Sequence, residues 1–188
     1  GIPGRNLPTE ERIAPLELKP ELASFDAGSI NLGNSVFINS AEFLDSAAAK
    51  MKALGVKPEL EIFDLGMVVT CLRMRSEGKL AEPFHFQFVL GTPWGAPATP
   101  ESLVHLHGHI RKNSTWSVIW IGKGHLPMSM MGLIMGGHIR VGMEDNIYYS
   151  REVLAETNAQ FVDRIVRIAH EYGRKIATPD DTRMILGL

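Results

Sequence analysis

SAEFLDSAAAKMKALGVKPELEIFD, residues 40–64, decides the fold class. The Ser40 hydroxyl can accept a hydrogen bond from an early helical N–H, so Ser40 reads as the N-cap of a helix over Ala41–Leu54. Gly55 ends that helix, because glycine enters the left-handed region without steric cost. Glu59–Asp64 follows at once as a strand. A helix running straight into a strand is half of a strand–helix–strand unit, and the pattern recurs on both sides.

Upstream, Leu22–Asp26 reads as a short strand followed by a Gly-rich loop over Ala27–Gly33. Near the beginning, Thr9 is the expected cap of a short helix. Downstream, a helix runs over about Gly66–Glu77, and Phe84–Leu90 is an aromatic-rich strand ending at Gly91-Thr92-Pro93-Trp94-Gly95. Thr99 and Pro100 open the next helix, with proline at its first position. Thr115–Ile121 is the fourth strand, followed by a Met-rich helix to about Met135. His138–Met143 is the fifth strand. Ser150 is read as the cap of the longest helix, which reaches Tyr172 and stops at Gly173, and Thr178 before Pro179 opens a last short helix.

Strands recurring at intervals of roughly 25–35 residues with helices between them mean parallel βαβ units. The strands read as apolar with little alternation, the pattern of a sheet covered on both faces. An open doubly wound sheet and a (β/α)8 barrel both fit. No G-x-G-x-x-G follows the first strand, which weakens the dinucleotide-binding version. A barrel usually needs about 250 residues. Five units in one domain over residues 1–188 therefore suit the last five units of a barrel.

Composition narrows the function classes. The 188 residues are 45% hydrophobic and 21% charged, with a formal charge of -2, so no basic surface argues for nucleic acid. The apolar stretches around Met128–Met135 and Trp116–Ile121 are too short and Gly-broken to span a bilayer. The single cysteine, Cys71, excludes an internal disulfide framework and fits a reducing, cytoplasmic compartment; inside a helix it reads as inert packing. The nine methionines read as core filling.

The chemistry-bearing candidates gather at strand carboxyl ends, where strand–helix proteins keep their sites. In His138-Ile139-Arg140-Val141-Gly142-Met143-Glu144-Asp145-Asn146, alternation along a strand puts Arg140 and Glu144 on one face. Glu144 is an oxygen donor suited to a metal ion, and Asp145 is placed to act as a base. The alternative is a strand cap with a surface salt bridge. Glu59 and Glu61 share one face of an apolar strand, which is costly unless they are paired. Arg140 is the expected partner; a wet edge strand is the alternative. Ser29 and Asn31 can bind a substrate carboxylate or carbonyl, or simply make a turn. Trp94 can cover a large ligand such as a nucleotide. Lys123, with flanking glycine N–H groups and a helix N-terminus, makes an anion site. His105 and His109 have i, i+4 metal-ligand spacing, yet with His107 they fall mid-helix on the outer layer and read as solvated histidines.

Taken together, the motifs resemble the β-keto acid cleavage enzyme family. They are Pro20-Glu21-Leu22-Ala23-Ser24 with Gly28-Ser29-Ile30-Asn31, and Lys57–Asp64. Phe86–Gly91, Ala98–Glu101 and Thr115–Val118 follow, and Gly136–Asn146 with Ser150-Arg151 closes the set. The resemblance implies a (β/α)8 barrel assembled as a homotetramer. It implies an exchange in which a β-keto acid and acetyl-CoA give acetoacetate and a new acyl-CoA. A divalent metal, normally zinc, would be held by two histidines of an early H-x-H motif and by a glutamate that Glu144 matches. Arg140 and Asp145 match the catalytic pair, with Arg140 expected to lower the Asp145 pKa. Glu61, or else Glu59, matches an active-site acid, and Ser29 a substrate contact. Trp94 and Lys123 would line the CoA cleft. This sequence has no early H-x-H motif, and its first strand corresponds to the family's fourth. The chain therefore reads as the carboxy-terminal portion of such an enzyme, inactive alone. The rival expectations are a non-catalytic remnant or another metal-dependent, aldolase-like barrel.

Overall fold

The structure is a computed structural model that describes residues 7–122 and 125–188. A short helix α1 (Thr9–Ile13) and a 3-10 turn lead into β1 (Leu22–Asp26). The small strands β2 (Ile30–Leu32) and β3 (Ser35–Phe37) come next, then α2 (Ala41–Leu54), β4 (Lys57–Ile62) and α3 (Leu65–Ser76). The middle of the chain forms β5 (His85–Leu90), α4 (Pro100–His109), β6 (Thr115–Trp120) and α5 (His125–Ile134). The last part forms β7 (His138–Ile139), β8 (Tyr148–Ser150), β9 (Val153–Leu154), α6 (Asn158–Glu171) and α7 (Pro179–Leu186).

The main sheet has the order β1-β4-β5-β6-β7 with every pairing parallel. Within this sheet the five strands follow chain order, as the barrel type requires, with the β2–β3 hairpin inserted after β1. Side chains alternate across such a sheet, so in-register partners share a face. One row runs Asp26, Glu61, Gln87, Ser117, His138, and the row below it runs Ser24, Glu59, His85, Thr115. The opposite face carries Phe25, Leu60, Ile62, Phe86, Phe88, Leu90, Trp116 and Val118, all buried in one core with α2, α3, α4 and α5 residues. Burying each such side chain contributes about 1.5–3 kcal/mol. The expectation of uniformly apolar strands is thus corrected: the helix-covered face is apolar and the other is polar. α5 can lie close because Gly132 faces the sheet, where a Cβ would stand 2.5 Å from Val118 and 2.7 Å from Ile139.

The caps at Ser40, Thr99 and Thr178 are as read, each side chain accepting an N–H three residues on. Three readings are corrected. Thr9 lies inside α1, whose N-cap is Pro8. The Gly-rich loop after β1 contains the β2–β3 hairpin, because Gly33 takes a left-handed φ of 57° at its turn. Ser150 belongs to the β8–β9 hairpin, and the true cap of α6 is Thr157, which accepts from the Gln160 N–H. At the other end of the sheet, α7 ties the chain back to the start of β1 through Arg183 and Glu21 at 2.6 Å.

Candidate active site

The last strand is short, and its continuation is fixed by the backbone. The Arg140 N–H donates to the Val118 carbonyl at 3.1 Å, extending β7 by one residue beside β6. The chain then turns: Asp145 and Asn146 both donate N–H to the Gly142 carbonyl, and the Gly122 N–H donates to the Asp145 carbonyl at 3.0 Å. Asn158 steadies the turn by accepting the Met143 N–H at 2.8 Å. These bonds seat residue 145 at the carboxyl end of β6, next to Arg140.

Arg140 is the hub. Its Nε lies 3.3 Å from Asp145 Oδ2, one terminal nitrogen lies 3.3 Å from Glu144 Oε2, and the other lies 3.6 Å from Glu61 Oε1. Arg140 thus neutralises Glu61 across four strands, as the one-face reading of Glu59 and Glu61 anticipates. The two adjacent acids differ sharply: the Asp145 side chain is 7% exposed and that of Glu144 is 80% exposed. Glu61 also accepts a hydrogen bond from the Ser24 hydroxyl at 2.9 Å.

Burial and charge act against each other here. Burial opposes the Arg140 cation, but Asp145, Glu61, Glu144 and Glu59 together outweigh it and raise its pKa. Asp145 is raised, first by burial and then by Glu144 and Glu61, with Arg140 only partly offsetting them. Arg140 does lower the Asp145 pKa as expected, but burial wins, which corrects the anticipated net direction. Glu59 is raised by burial and by Glu61. Asp26, the in-register neighbour of Glu61, is pushed up to about 6 by burial and by the Glu61 charge.

Beside this charged cluster, His85 and Thr115 of the lower row join Gln87 and Ser117 of the upper row in a hydrogen-bonded network. His85 Nδ1 meets the Thr115 hydroxyl at 2.8 Å, His85 Nε2 meets Ser117 Oγ at 3.2 Å, and the Ser117 hydroxyl donates to Gln87 at 2.7 Å. Burial, with His138 and Lys57 nearby, lowers His85 to about 4, so it is uncharged at neutral pH.

The other candidates lie apart or outside. Ser29 Oγ accepts the Asn39 N–H at 2.8 Å, and the Asn39 side chain is in turn held by Arg12 and by the Gly28 carbonyl. Ser29 is exposed after β1, while Asn31 is exposed within β2. Trp94 is 64% exposed on the loop after β5, which folds back so that Ala96 donates to the Phe63 carbonyl. Lys123 lies outside the described residues. His105 and His109 are exposed on α4, and His107 packs on Trp116 with ring centroids 4.9 Å apart. Cys71 is fully buried and its thiol is pushed up to about 12, as an inert packing residue should be.

Among the described residues no three histidine, cysteine, aspartate or glutamate side chains gather as a metal site. The outward carboxylate of Glu144 can supply one metal ligand, and the described residues do not complete a set. Sequence reading missed Asp26 and His85, although the signal was present: a polar residue at every second position of a strand.

Fold and site together define a protein of the (β/α)8-barrel class, with a charged cluster at the strand ends where such barrels keep their chemistry. The model of the beta-keto acid cleavage enzyme family matches residues 2–188, and the chain belongs to that family. It is 43% identical over 180 residues to a 3-keto-5-aminohexanoate cleavage enzyme of Acetoanaerobium sticklandii, covering 95% of this chain and 66% of that protein. It is 38% identical over 188 residues to a 3-oxoadipate:acetyl-CoA acetyltransferase of Cupriavidus necator, covering 98% of this chain and 66% of that protein. The chain thus spans about two thirds of the length of the curated relatives it matches. The apo structure of ObcA superposes with a TM-score of 0.76 at 19% identity, covering 90% of this chain and 44% of that one, a likeness of fold.

Proposed function

We propose that this chain carries the carboxyl-end half of the active site of a coenzyme-A-dependent β-keto acid cleavage enzyme. The observation that carries the reading is Arg140 held between Glu61 and Asp145 at the strand ends of a family member. Asp145, buried and raised in pKa, is the base that takes a proton from the carbon between the keto and carboxylate groups. Arg140 is the fixed cation beside the negative charge that develops there. The carbanion attacks the acetyl carbonyl of acetyl-CoA, and the CoA thiolate leaves. The thiolate then attacks the original keto carbonyl, and the carbon–carbon bond breaks to give a new acyl-CoA and the enolate of acetoacetate, which takes the proton back from Asp145. Glu61 orients Arg140 through its ion pair. Ser29 and Asn31 would contact the substrate, and Trp94 and Lys123 the CoA ester. Zinc or another divalent metal would take Glu144 as one ligand and act as a Lewis acid on the keto oxygen. Cytoplasmic location and a homotetramer belong to the same reading.

The test is acetyl-CoA-dependent consumption of β-keto acids by the full-length protein that carries this chain, with acetoacetate as the product followed. Asp145→Asn should lower kcat by roughly 10²-fold or more, the scale for losing an acid–base group, with the fold intact. Full turnover in Asp145→Asn, or turnover without acetyl-CoA, would remove the proposal. The second outcome would favour an aldolase-type barrel.

A further inference from the structure

The strand ends hold more negative charge than their cation balances. Asp26, Glu59 and Glu61 lie on the polar face of the sheet, and Glu144 and Asp145 stand at its carboxyl edge, all served by the guanidinium of Arg140. The histidines beside them add no charge at neutral pH, because burial lowers the pKa of both His85 and His138. Arg140 is fully engaged with Asp145, Glu144 and Glu61, and among the described residues no salt bridge reaches Asp26. Arg12 acts on Asp26 only from a distance. Its guanidinium donates to the Ile38 carbonyl at 2.8 Å and to the Asn39 side chain, and lies 3.7 Å from the Phe43 ring centroid.

The register sets Asp26 beside the chemistry. It is the last residue of β1 and pairs with Glu61, the carboxylate that Arg140 reaches from the far edge of the sheet. Neighbouring strands stand about 4.8 Å apart, so Asp26 is one strand beyond Glu61 on the same face. Asp145, Arg140, Glu61 and Asp26 thus form a line across the strand ends. Asp145 works at the carbon between the keto and carboxylate groups. The acyl side of a substrate seated there, beyond the keto carbon, can extend along that line toward Asp26. Glu59 is a row deeper, 3.8 Å from His85.

The fold does not gain from this carboxylate. Burial and the Glu61 charge push its pKa up to about 6, so an ionised Asp26 is held at a cost in stability at neutral pH. Local violations of this kind are concentrated at functional positions. A ligand cation between Asp26 and Glu61 would supply the missing positive charge through charge-assisted bonds. An anionic group there would add a third negative charge to two, and such repulsion is half of specificity.

We propose that Asp26 is a specificity-determining residue of this site, selecting β-keto acids that carry a cationic group, such as an ammonium, on the acyl side of the keto carbon. The assignment rests on the function proposed above. The cation seats between Asp26 and Glu61, a carboxylate-bearing acyl chain is repelled, and a neutral one gains nothing.

The test compares wild type and Asp26→Asn of the full-length protein that carries this chain. Removing the charge should stabilise the fold at neutral pH, so the variant is not lost to misfolding. Three β-keto acids of equal chain length are turned over with acetyl-CoA, their acyl sides ending in an ammonium, a methyl or a carboxylate group. The readout is the ratio of kcat/KM between substrates, which cancels any general loss of fold or chemistry. Wild type should favour the ammonium substrate over the methyl one by about 10–100-fold, the scale of a hydrogen bond to a charged group, and rank the carboxylate last. Asp26→Asn should lower the ammonium-to-methyl ratio at least about tenfold. A wild-type preference for the methyl or carboxylate substrate overturns the proposal. So does an ammonium preference that Asp26→Asn leaves in place, which would put the partner of the cation elsewhere in the full-length chain. Calorimetric titration with the matching β-hydroxy acids, which lack the keto carbon that the thiolate attacks, separates this proposal from the function. An Asp26-dependent preference for the ammonium analogue without turnover of any β-keto acid sinks the function and leaves the selection. Turnover without that preference sinks the selection and leaves the function, and the absence of both sinks both.

Discussion

The polar face of the sheet holds two adjoining clusters that handle burial in opposite ways. At the carboxyl ends, Arg140 gathers Asp145, Glu61 and Glu144 into a charged group with an outlet to solvent at Glu144. Reaching from that row into the one below, His85, Thr115, Ser117 and Gln87 satisfy one another as neutral groups. Keeping charge under cover costs free energy unless it is paired, whereas a fully bonded neutral network costs little. The molecule gathers its paired charge at the strand ends, and Glu59, 3.8 Å from His85, is the carboxylate that borders the neutral network. The lower cluster reads as structure and the upper as chemistry.

The largest effect should come from the hub. Arg140→Met should leave Asp145 and Glu61 facing each other without a cation, and should lower turnover by roughly 10²–10³-fold, as removing a charge-stabilising donor does. Secondary structure should persist in circular dichroism. If turnover survived, the upper cluster would be no more functional than the lower. The reverse pattern is expected one step down. His85→Ala removes a buried ring and its bonds to Thr115 and Ser117, and should cost about 2–4 kcal/mol in denaturant unfolding. Turnover per folded molecule should keep its order of magnitude. A loss as deep as that of Arg140→Met would join the two clusters into one site.

How much of this was legible follows from the same contrast. Helix ends were readable wherever a cap stood alone, as at Ser40, Thr99 and Thr178, because one side chain settles one backbone N–H. Ser150 misled because two devices compete in residues 146–157. The Asn146 side chain bonds both N–H and C=O of Tyr148, and Glu152 takes a left-handed φ of 63°, so a hairpin forms before Thr157 can start α6. Arg140, Glu61 and Asp145 were findable from alternation and motif. Asp26 and His85 were passed over although they obey the same alternation, since each looked like an isolated polar residue until the register set it beside Glu61 or Ser117. The Arg164–Tyr149 contact was not readable, because residues 149 and 164 meet only through the hairpin that precedes α6.

Asp26 gives a subtler test of the upper cluster's charge. Its pKa rises from 3.8 to about 6 on folding, through burial and Glu61. A raised carboxyl pKa means that the folded state binds the proton more tightly, so stability falls as pH rises through roughly 4 to 6. Asp26→Asn removes that loss. The variant should match wild type near pH 4 and be more stable by about 1–3 kcal/mol at pH 7, given about 1.4 kcal/mol per pKa unit. Parallel stability curves for the two proteins across that range would mean that Asp26 is not pressed by Glu61 as the register implies.

The smallest effect should be at the histidines that most resemble a metal motif. The His105 and His109 rings meet edge to face, centroids 4.7 Å apart, on the exposed face of α4, with the His109 ring hydrogen-bonded to the His105 carbonyl. Both lie on the helix layer, behind the apolar face and away from Arg140. His107 alone touches the core, through Trp116. Replacing all three by Gln keeps side chains of good helix propensity, so the change in stability should stay within the ±0.5 kcal/mol typical of surface substitutions, apart from what His107 loses against Trp116. His105→Gln/His109→Gln separates that packing term from the rest. Zinc content and turnover of the protein, measured on the triple variant, should equal those of wild type. A stoichiometric loss of zinc would move the metal to the wrong side of the sheet and break the division between a chemical polar face and a structural apolar one.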